Sequence, residues 1–437
     1  MTARRIYAVP SLLYNFAVTK TGKLMERMMR LKLSELSVKA IIIMAVIAHP
    51  GCGPVELDQI QDGAENGISG GDTDDDIQMM PKDRYVTGVE YPDGYDWMAD
   101  LGSDADGAVL FLMKGDERIV ELPVGYDSCI SADADMHRCI DGHLYTDFST
   151  DRETVIKMDG IELLRYPGRE MITDIMVRTD GIYTLGQPRS GQGWAYRKDG
   201  KIIISRSTGG ILHGLHSDGD SVCFSYRDRA ETPYGTRNLY CLVKDGIQLS
   251  IPAASDVIWI DDAVTIDGVF CYIAQLNGVT GKVLVRGSGR VPLEMPGDAS
   301  GISDCRIVAD NGDIFITGTV NGYPGTGSRD TVWKGTEILD STGNLREIRK
   351  CCIDSGRCYY ISPPASGTGT SYLYMDGKDM AIPSRYRFIY NMCMAVYAED
   401  WCIALSDWTA GNLPVLWTGD GATAYSFNGA FTSVTYW

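Results

Sequence analysis

Five residues of metal-ligating types lie close together at two places in the sequence. His213 and His216 are three residues apart, and His137 and His143 flank Cys139. Imidazole and thiolate groups are common ligands of zinc and other transition metals. On a β-strand, side chains three positions apart point to opposite faces, so His213 and His216 can chelate one ion only across a bulge. His137 and His143 straddle a turn. We therefore predict neither a metal site nor a cofactor.

Other motifs of catalysis or ion binding are incomplete. The sequence contains no phosphate-binding loop, no dinucleotide fingerprint and no Cys-x-x-Cys pair. Asp72, Asp74 and Asp76 are spaced like the first ligands of a calcium loop, but Ile77 stands where that loop requires glycine. Pairs of acidic residues are too frequent in the chain to single out one acid–base couple. Catalytic residues therefore stay unassigned.

A further set of residues has the chemistry of ligand recognition. Its members are arginines, tyrosines and one tryptophan in segments rich in glycine and serine, such as SYRDRAETPYGTRN and TGTVNGYPGTGSRD. Aromatic rings stack on flat ligand surfaces, and guanidinium groups donate paired hydrogen bonds to carboxylates. The candidate ligand-binding residues are Arg227, Arg229, Tyr234, Arg237, Tyr323, Arg329 and Trp408.

These candidates lie in a sequence that repeats one short pattern. Each copy is an apolar or aromatic run, a turn ending in glycine, as in IKMDG and LYMDG, and a second β-rich run. Asp-Gly between two such runs is a strong hairpin signal, because glycine accepts the positive φ of a type I′ turn. The turns end at Gly115, Gly160, Gly200, Gly246, Gly287, Gly335, Gly377 and Gly419, which subtraction places 40 to 48 residues apart.

A second hairpin pattern alternates with the first. Turn residues precede an aromatic-containing strand at positions 141, 180, 218, 267, 311, 355 and 399. Two hairpins make four strands per unit, and a four-stranded unit of this length is typical of a β-propeller blade. We predict an all-β, eight-bladed propeller over residues 85–437, with the loops between second and third strands on one face. The first unit lacks an innermost strand, so we expect residues 431–437 to supply it and close the ring. A seven-bladed ring is the alternative.

Residues 1–51 have the features of an export signal. Residues 40–48 read AIIIMAVIA, an uncharged apolar run preceded by arginines and lysines. Spanning a bilayer takes about 20 residues, so this run is too short for a transmembrane helix and suits the core of a signal peptide. Because the basic region lies far from Met1, a translation start at Met25, Met28 or Met29 is also consistent with the pattern.

The end of this apolar run resembles the lipobox of bacterial lipoproteins. Gly51 directly precedes Cys52, and in that family the signal is cut before the cysteine, whose thiol is acylated. His49 and Pro50 depart from the family's preference for leucine and then a small residue at those positions. We predict lipidation of Cys52, and an ordinary signal peptide with an incidental cysteine is the alternative.

The segment after Cys52 predicts a tether, and the overall charge of the chain argues against a nucleic-acid partner. Residues 52–84 are acidic, rich in glycine and without apolar periodicity, which predicts a flexible tether. The whole chain carries a net charge of −18. Such a surface repels phosphate backbones, so we expect no nucleic-acid partner.

Five cysteines flank two of the predicted hairpins. Cys351, Cys352 and Cys358 surround one turn, and Cys393 and Cys402 surround the corresponding turn of the last unit. A cross-hairpin disulfide at each is compatible with an oxidising compartment, and the sequence leaves the disulfide state open. Most other cysteines lie inside apolar strands, where we expect small buried hydrophobes.

The hairpin rhythm resembles that of uncharacterised propeller lipoproteins of Gram-negative gut bacteria over residues 85–437. The resemblance implies a fold and a location in the cell envelope, as an outer-membrane or cell-surface lipoprotein, but no reaction. We expect a lipid-anchored module that contacts the membrane through its lipid and binds a glycan or protein ligand. The alternative is a propeller glycosidase or polysaccharide lyase with carboxylates at the ring centre, since propellers host both classes.

Overall fold

The computed structural model describes residues 82–99, 105–188, 193–232, 235–250, 256–310, 313–323, 327–342, 347–348, 350–363, 370–375, 377–389 and 393–437. These residues belong to one compact unit, Ile77–Trp437. The predicted signal peptide (1–51), Cys52 and nearly all of the predicted tether (52–84) lie outside the described residues.

Turn chemistry fixes the hairpins from which the fold is built. Asp159 and Gly160 have φ values of 49° and 82°, and Asp199 and Gly200 have values of 49° and 74°. Positive φ at both central residues defines a type I′ turn, whose twist matches that of the flanking strands. Each of the eight predicted turns connects the third and fourth strands of one antiparallel sheet.

Eight sheets, here called blades 1 to 8, follow one another along the chain. The strands of blades 1 to 4 are β1 (Arg84–Glu90), β2 (Val109–Lys114) and β3 (Glu117–Pro123); β4 (His137–Ile140), β5 (His143–Ser149), β6 (Glu153–Met158) and β7 (Ile161–Pro167); β8 (Glu170–Arg178), β9 (Gly181–Pro188), β10 (Trp194–Lys198) and β11 (Lys201–Arg206); and β12 (Gly210–Asp218), β13 (Ser221–Thr232), β14 (Gly235–Lys244) and β15 (Ile247–Ser250).

The strands of blades 5 to 8 are β16 (Val257–Ile266), β17 (Val269–Leu276), β18 (Val283–Arg286) and β19 (Gly289–Pro292); β20 (Gly301–Asp310), β21 (Asp313–Tyr323), β22 (Gly327–Lys334) and β23 (Glu337–Ser341); β24 (Lys350–Asp354), β25 (Arg357–Ser362), β26 (Tyr372–Met375) and β27 (Lys378–Ala381); and β28 (Tyr386–Arg387), β29 (Met394–Tyr397), β30 (Asp400–Asp407), β31 (Leu413–Thr418) and β32 (Gly421–Ala424). The last strand is β33 (Gly429–Tyr436). In blade 8 the innermost strand is divided into β28 and β29, which both pair with β30.

Helical structure is limited to two short 3-10 turns, Ala134–Met136 and Trp408–Ala410, within the described residues. None of the helices found there is long and apolar enough to cross a bilayer. The fold is all-β, as the sequence predicts.

The C-terminal strand closes the ring. β33 pairs with β1 to complete blade 1, and Val434 lies opposite Val86. The Thr87 hydroxyl oxygen is 2.8 Å from that of Thr432 and 2.6 Å from that of Ser433. On its other side β33 contacts β29 of blade 8 and β4 of blade 2. The prediction of eight blades closed by the last strand is therefore confirmed, and the seven-bladed alternative is wrong.

Buried aromatic rings join neighbouring blades. The Trp194 ring of blade 3 lies 5.2 Å from the Phe224 ring and 4.5 Å from the Tyr226 ring of blade 4, measured between centroids. Between blades 5 and 6, the Trp333 indole is fully buried and donates a hydrogen bond to the Glu294 carbonyl at 2.9 Å. Burial of an aromatic side chain contributes about 2 to 3 kcal/mol, so these contacts hold the ring together.

The strand order gives the ring two distinct faces. Because the chain runs through four antiparallel strand positions in each of blades 2 to 8, it leaves each of them at the end where it entered, and in blade 1 β33 fills the first of the four positions. All connections between second and third strands consequently emerge on one face, together with the connections between blades. We call this the loop face and the opposite one the hairpin face.

Candidate functional site

The loop face carries the connections between second and third strands, but five of the seven predicted ligand-binding residues lie in the strands that flank these connections, and Trp408 lies in a connection itself. The segments between second and third strands are 91–108, 150–152, 189–193, 233–234, 277–282, 324–326, 363–371 and 408–412. In blade 4 the two strands that flank this connection, β13 and β14, extend beyond the rest of the sheet. β13 pairs with β12 only as far as Arg227, but it pairs with β14 as far as Thr232. A two-stranded ribbon therefore projects from blade 4.

Arg227 stacks on a tryptophan that the sequence analysis did not single out. Its guanidinium carbon lies 4.4 Å from the centre of the Trp259 ring, which belongs to β16 of blade 5. A bulge between Val257 and Trp259 interrupts the alternation of that strand, so that Ile258 and Trp259 are 56% and 38% exposed. The Tyr240 ring supports Trp259 in an edge-on contact at 6.4 Å. The result is a partly exposed, preformed cation–aromatic pair.

A second pair of this type lies on blade 8. Trp408 is 45% exposed, and the guanidinium carbon of Arg387 lies 4.8 Å from its ring centre. The indole nitrogen donates a hydrogen bond to the Ser384 carbonyl at 2.9 Å, which fixes the ring orientation. The 3-10 turn that carries Trp408 is capped by Asp407, whose carboxylate accepts the Thr409 N–H at 3.0 Å.

The other predicted ligand-binding residues are distributed over blades 4 and 6. Arg229 and Arg237 lie in β13 and β14, Tyr323 is the last residue of β21, and Arg329 is half-buried in β22. Tyr234 and the side chains of Arg229, Arg237 and Tyr323 lie outside the described residues. Arg227 and Trp408 belong to blades half a ring apart, so the structure does not bring the predicted set into one cluster.

At the ring centre, two carboxylates converge on Arg138 of β4. The nearest guanidinium nitrogens are 3.5 Å from Asp147 and 3.7 Å from Asp174. Burial raises the pKa of Asp147 to about 7, and burial also raises the pKa of Asp174. The Asp147 side chain is only 3% exposed, and Asp174 accepts the N–H groups of Ile175 and Leu215 at 2.9 and 2.8 Å. These carboxylates therefore connect blades 2, 3 and 4.

His213 and His216 do lie across a bulge, with ring centroids 5.1 Å apart. His216 has both nitrogens occupied: Nδ1 donates to the Gly214 carbonyl and Nε2 accepts the Thr265 N–H, each at 3.1 Å. Burial lowers the pKa of His216 to about 4. His213 faces Asp262, with 3.6 Å between its Nδ1 and the carboxylate. Within the described part of the chain, no group of three or more His, Cys, Asp or Glu residues is arranged to hold a metal ion.

His137 and His143 have separate partners. His137 is buried, with its Nε2 at 2.7 Å from the Thr432 hydroxyl oxygen of β33, and His143 lies 2.6 Å from the Asp159 carboxylate. Burial, and secondly Arg138, lowers the pKa of His137 to about 4. His137 thus helps to attach the closing strand to blade 2.

The cysteines of the described residues are free thiols. Across the first predicted cross-hairpin site, the Cys351 and Cys358 sulfurs are 3.5 Å apart. Burial is the main cause of a pKa of about 12 for Cys402. Such thiols stay protonated at neutral pH and are poor nucleophiles.

No model of a known protein family matches this chain, and no curated protein matches it. Among solved structures, the β-propeller domain of the Trilobed protease from Pyrococcus furiosus is 11% identical, with a TM-score of 0.39 over 63% of this chain and 86% of that chain. Dihydro-heme d1 dehydrogenase NirN is 10% identical, with a TM-score of 0.46 over 79% and 73%. Pyrococcus horikoshii acylaminoacyl peptidase is 11% identical, with a TM-score of 0.40 over 67% and 52%. The propeller assignment rests on the strand order and the closed ring of this chain.

Proposed function

We propose that this protein is an exported, lipid-anchored binding module whose loop face recognises a glycan. The observation that carries the proposal is the presence of two partly exposed tryptophans, Trp259 and Trp408, each stacked with an arginine on that face. An indole ring offers a flat apolar surface to the C–H face of a sugar ring, and the adjacent guanidinium donates hydrogen bonds to hydroxyl or carboxylate oxygens.

The fixed orientation of the two rings supports a binding role. Trp408 is held by its hydrogen bond to the Ser384 carbonyl, and Trp259 is held between Arg227 and Tyr240. A preformed site loses little conformational entropy when a ligand binds, which improves affinity.

The separation of the two pairs supports a long ligand. Arg227 lies on blade 4 and Trp408 on blade 8, on opposite sides of the ring. A polysaccharide that crosses the loop face can contact both tryptophans, and simultaneous contacts increase avidity. A single sugar can contact only one of them.

The converging carboxylates at the ring centre favour binding over glycoside hydrolysis. A glycosidase uses two carboxyl groups that both reach the scissile bond. Here Asp147 is buried and Asp174 is occupied by backbone N–H groups. The raised pKa of Asp147 follows from its burial inside the blade contacts.

Anchoring through Cys52 is part of the proposal. It is supported by the apolar run at 40–48, the Gly51-Cys52 junction and the acidic segment that follows. A tether of this kind would hold the propeller at a membrane surface.

A glycan array probed with the purified full chain tests the proposed function. We expect binding that increases from monosaccharides to longer oligomers of the same sugar, because longer chains reach both tryptophans. Absence of binding to every glycan, or equal signals from monomers and oligomers, would contradict the proposal.

A further inference from the structure

A cavity of about 390 Å³ lies in the central channel, between blades 1, 2, 7 and 8. Its wall consists of residues from the innermost strands β4, β24, β29 and β33, of Ala134 from the 3-10 turn before β4, and of Lys82, which precedes β1. Ligand pockets of proteins commonly measure about 300 to 1,000 Å³. The space therefore suits one small molecule of the size of a single sugar ring.

The charged groups of the cavity wall are cationic. Lys82, Arg138 and Lys350 line it, and no Asp or Glu occurs among the described lining residues. This wall differs from the chain as a whole, whose net charge is −18. His137 also lines the cavity, but with a pKa lowered to about 4 it is neutral at pH 7. The local field in the cavity consequently favours an anion.

The acceptors around the Arg138 guanidinium lie at long distances, and they include the Asp135 and Ile172 carbonyls, each 3.5 Å from Nη2. The guanidinium contacts of 3.5 Å to Asp147 and 3.7 Å to Asp174 exceed the usual range of about 2.7 to 2.9 Å for charge-assisted hydrogen bonds. Asp147, with a pKa of about 7, is protonated in part of the molecules at neutral pH. The two carboxylates therefore compensate the guanidinium charge only incompletely.

Two tyrosines form an aromatic part of the cavity wall. Tyr397 and Tyr436 both line the cavity, with ring centroids 6.2 Å apart, and the Lys82 ammonium lies 4.9 Å from the Tyr397 ring centre. Apolar side chains, including Met394 and Val434, complete the wall. Tyrosine rings and aliphatic groups pack against a ligand ring, while ammonium and guanidinium groups bind its acidic substituent.

We propose that the channel cavity binds a small, ring-shaped organic anion. Its carboxylate or sulfate group lies against Arg138 and Lys350, and its ring packs against Tyr397 and Tyr436. The proposal is independent of glycan binding on the loop face, because the two sites have no residue in common.

Isothermal titration of the purified full chain with three sugars of one ring size tests the site. The probes are D-glucuronate, neutral D-glucose and cationic D-glucosamine. We expect D-glucuronate to bind at least about tenfold more tightly than the other two, with an affinity that falls as salt screens the charges. Equal affinities for glucuronate and glucose, or no detectable binding of glucuronate, would overturn the proposal.

Three lysine variants locate the binding site. Lys350→Gln should weaken glucuronate binding about tenfold, the usual effect of losing one charged hydrogen bond, and Lys82→Gln should weaken it by a smaller factor because one positive charge is lost from the cavity wall. Lys201→Gln changes an exposed lysine on the outermost strand of blade 3 and should leave the affinity unchanged. Lys82 is exposed and precedes β1, so its substitution keeps the test valid if Lys350→Gln fails to fold. Equal losses of glucuronate affinity in all three variants, or an unchanged affinity in Lys82→Gln, would overturn the assignment of the site to the channel cavity.

Discussion

Val86 and Val434 lie directly opposite each other in the antiparallel pair of β1 and β33. Both side chains are buried, and hydroxyl contacts from Thr87 to Thr432 and Ser433 lie beside them. The pair joins the beginning and the end of the described propeller, so that β1 is hydrogen-bonded on both of its edges, to β2 and to β33. The stability of blade 1 therefore depends on contacts between residues that are far apart in the chain.

Removal of residues 429–437 should open the ring. Deletion would unpair β1, expose its inner edge and remove Phe431 and Val434 from the core. We expect the free energy of unfolding, measured in urea, to fall by well over the roughly 1 kcal/mol of a typical point mutation. We also expect aggregation through the exposed strand edge. Deletion of residues 53–80, which precede β1, is the matched control and should cost little. Equal stability of the two deletion variants would show that β33 does not close the ring.

Cys52→Ala should abolish lipid attachment. Without the thiol there is no acceptor for the acyl chain, so the variant should take up no labelled fatty acid and should accumulate as a precursor of higher mass. Gel analysis after metabolic labelling measures both effects. Cys129→Ala, which removes a half-buried thiol within the propeller, is the control and should be labelled like the wild type. Equal labelling of Cys52→Ala and the wild type would contradict lipidation.

The stability contributed by Asp147 should decrease as the pH rises. Its folded-state pKa of about 7 lies above its ordinary value of 3.8, so between these values the folded state binds a proton that the unfolded state has released. By linkage, this contribution is present at low pH and is lost as the pH rises toward 7. At about 1.4 kcal/mol per pKa unit, the change amounts to a few kcal/mol.

The variant Asp147→Asn isolates this effect. Urea unfolding between about pH 4 and pH 8 should show the wild type losing stability relative to Asp147→Asn as the pH rises through the interval between the two pKa values. The Asp151 side chain is 90% exposed, so Asp151→Asn is the control. Its free energy of unfolding should change with pH in the same way as that of the wild type. Parallel curves for Asp147→Asn and the wild type would contradict the assignment of a raised pKa to Asp147.

Much of the fold follows from the sequence because its determinants are local. Each Asp-Gly turn is specified by two adjacent residues, and the period of these turns gives the number of blades. The closing strand could be predicted by counting, since one unit lacked a strand and one strand remained at the end. Exposed strand edges are unfavourable, which gave this count a physical basis.

The site residues are less predictable because their determinants are not local. Trp259 is exposed through a bulge in β16, and a regular strand pattern gives no sign of that bulge. Arg387 and Trp408 are neighbours only because β28 pairs with the end of β30. The cations of the channel cavity come from blades 2 and 7 and from the segment before β1, so their proximity depends on ring closure. Sequence reasoning singled out Arg227 and Trp408 as candidates but not Trp259 and Arg387, the residues on which they stack.

The most direct test of the proposed function is the affinity of tryptophan variants for the glycan that gives the strongest array signal. Trp259→Ala and Trp408→Ala should each weaken binding by more than 1 kcal/mol, roughly fivefold or more, with unchanged melting temperatures. Ile247→Ala removes an exposed apolar side chain at a turn of the hairpin face and should bind like the wild type. If both tryptophan variants bind as tightly as the wild type, or if Ile247→Ala loses as much affinity as they do, the loop face is not the glycan-binding surface.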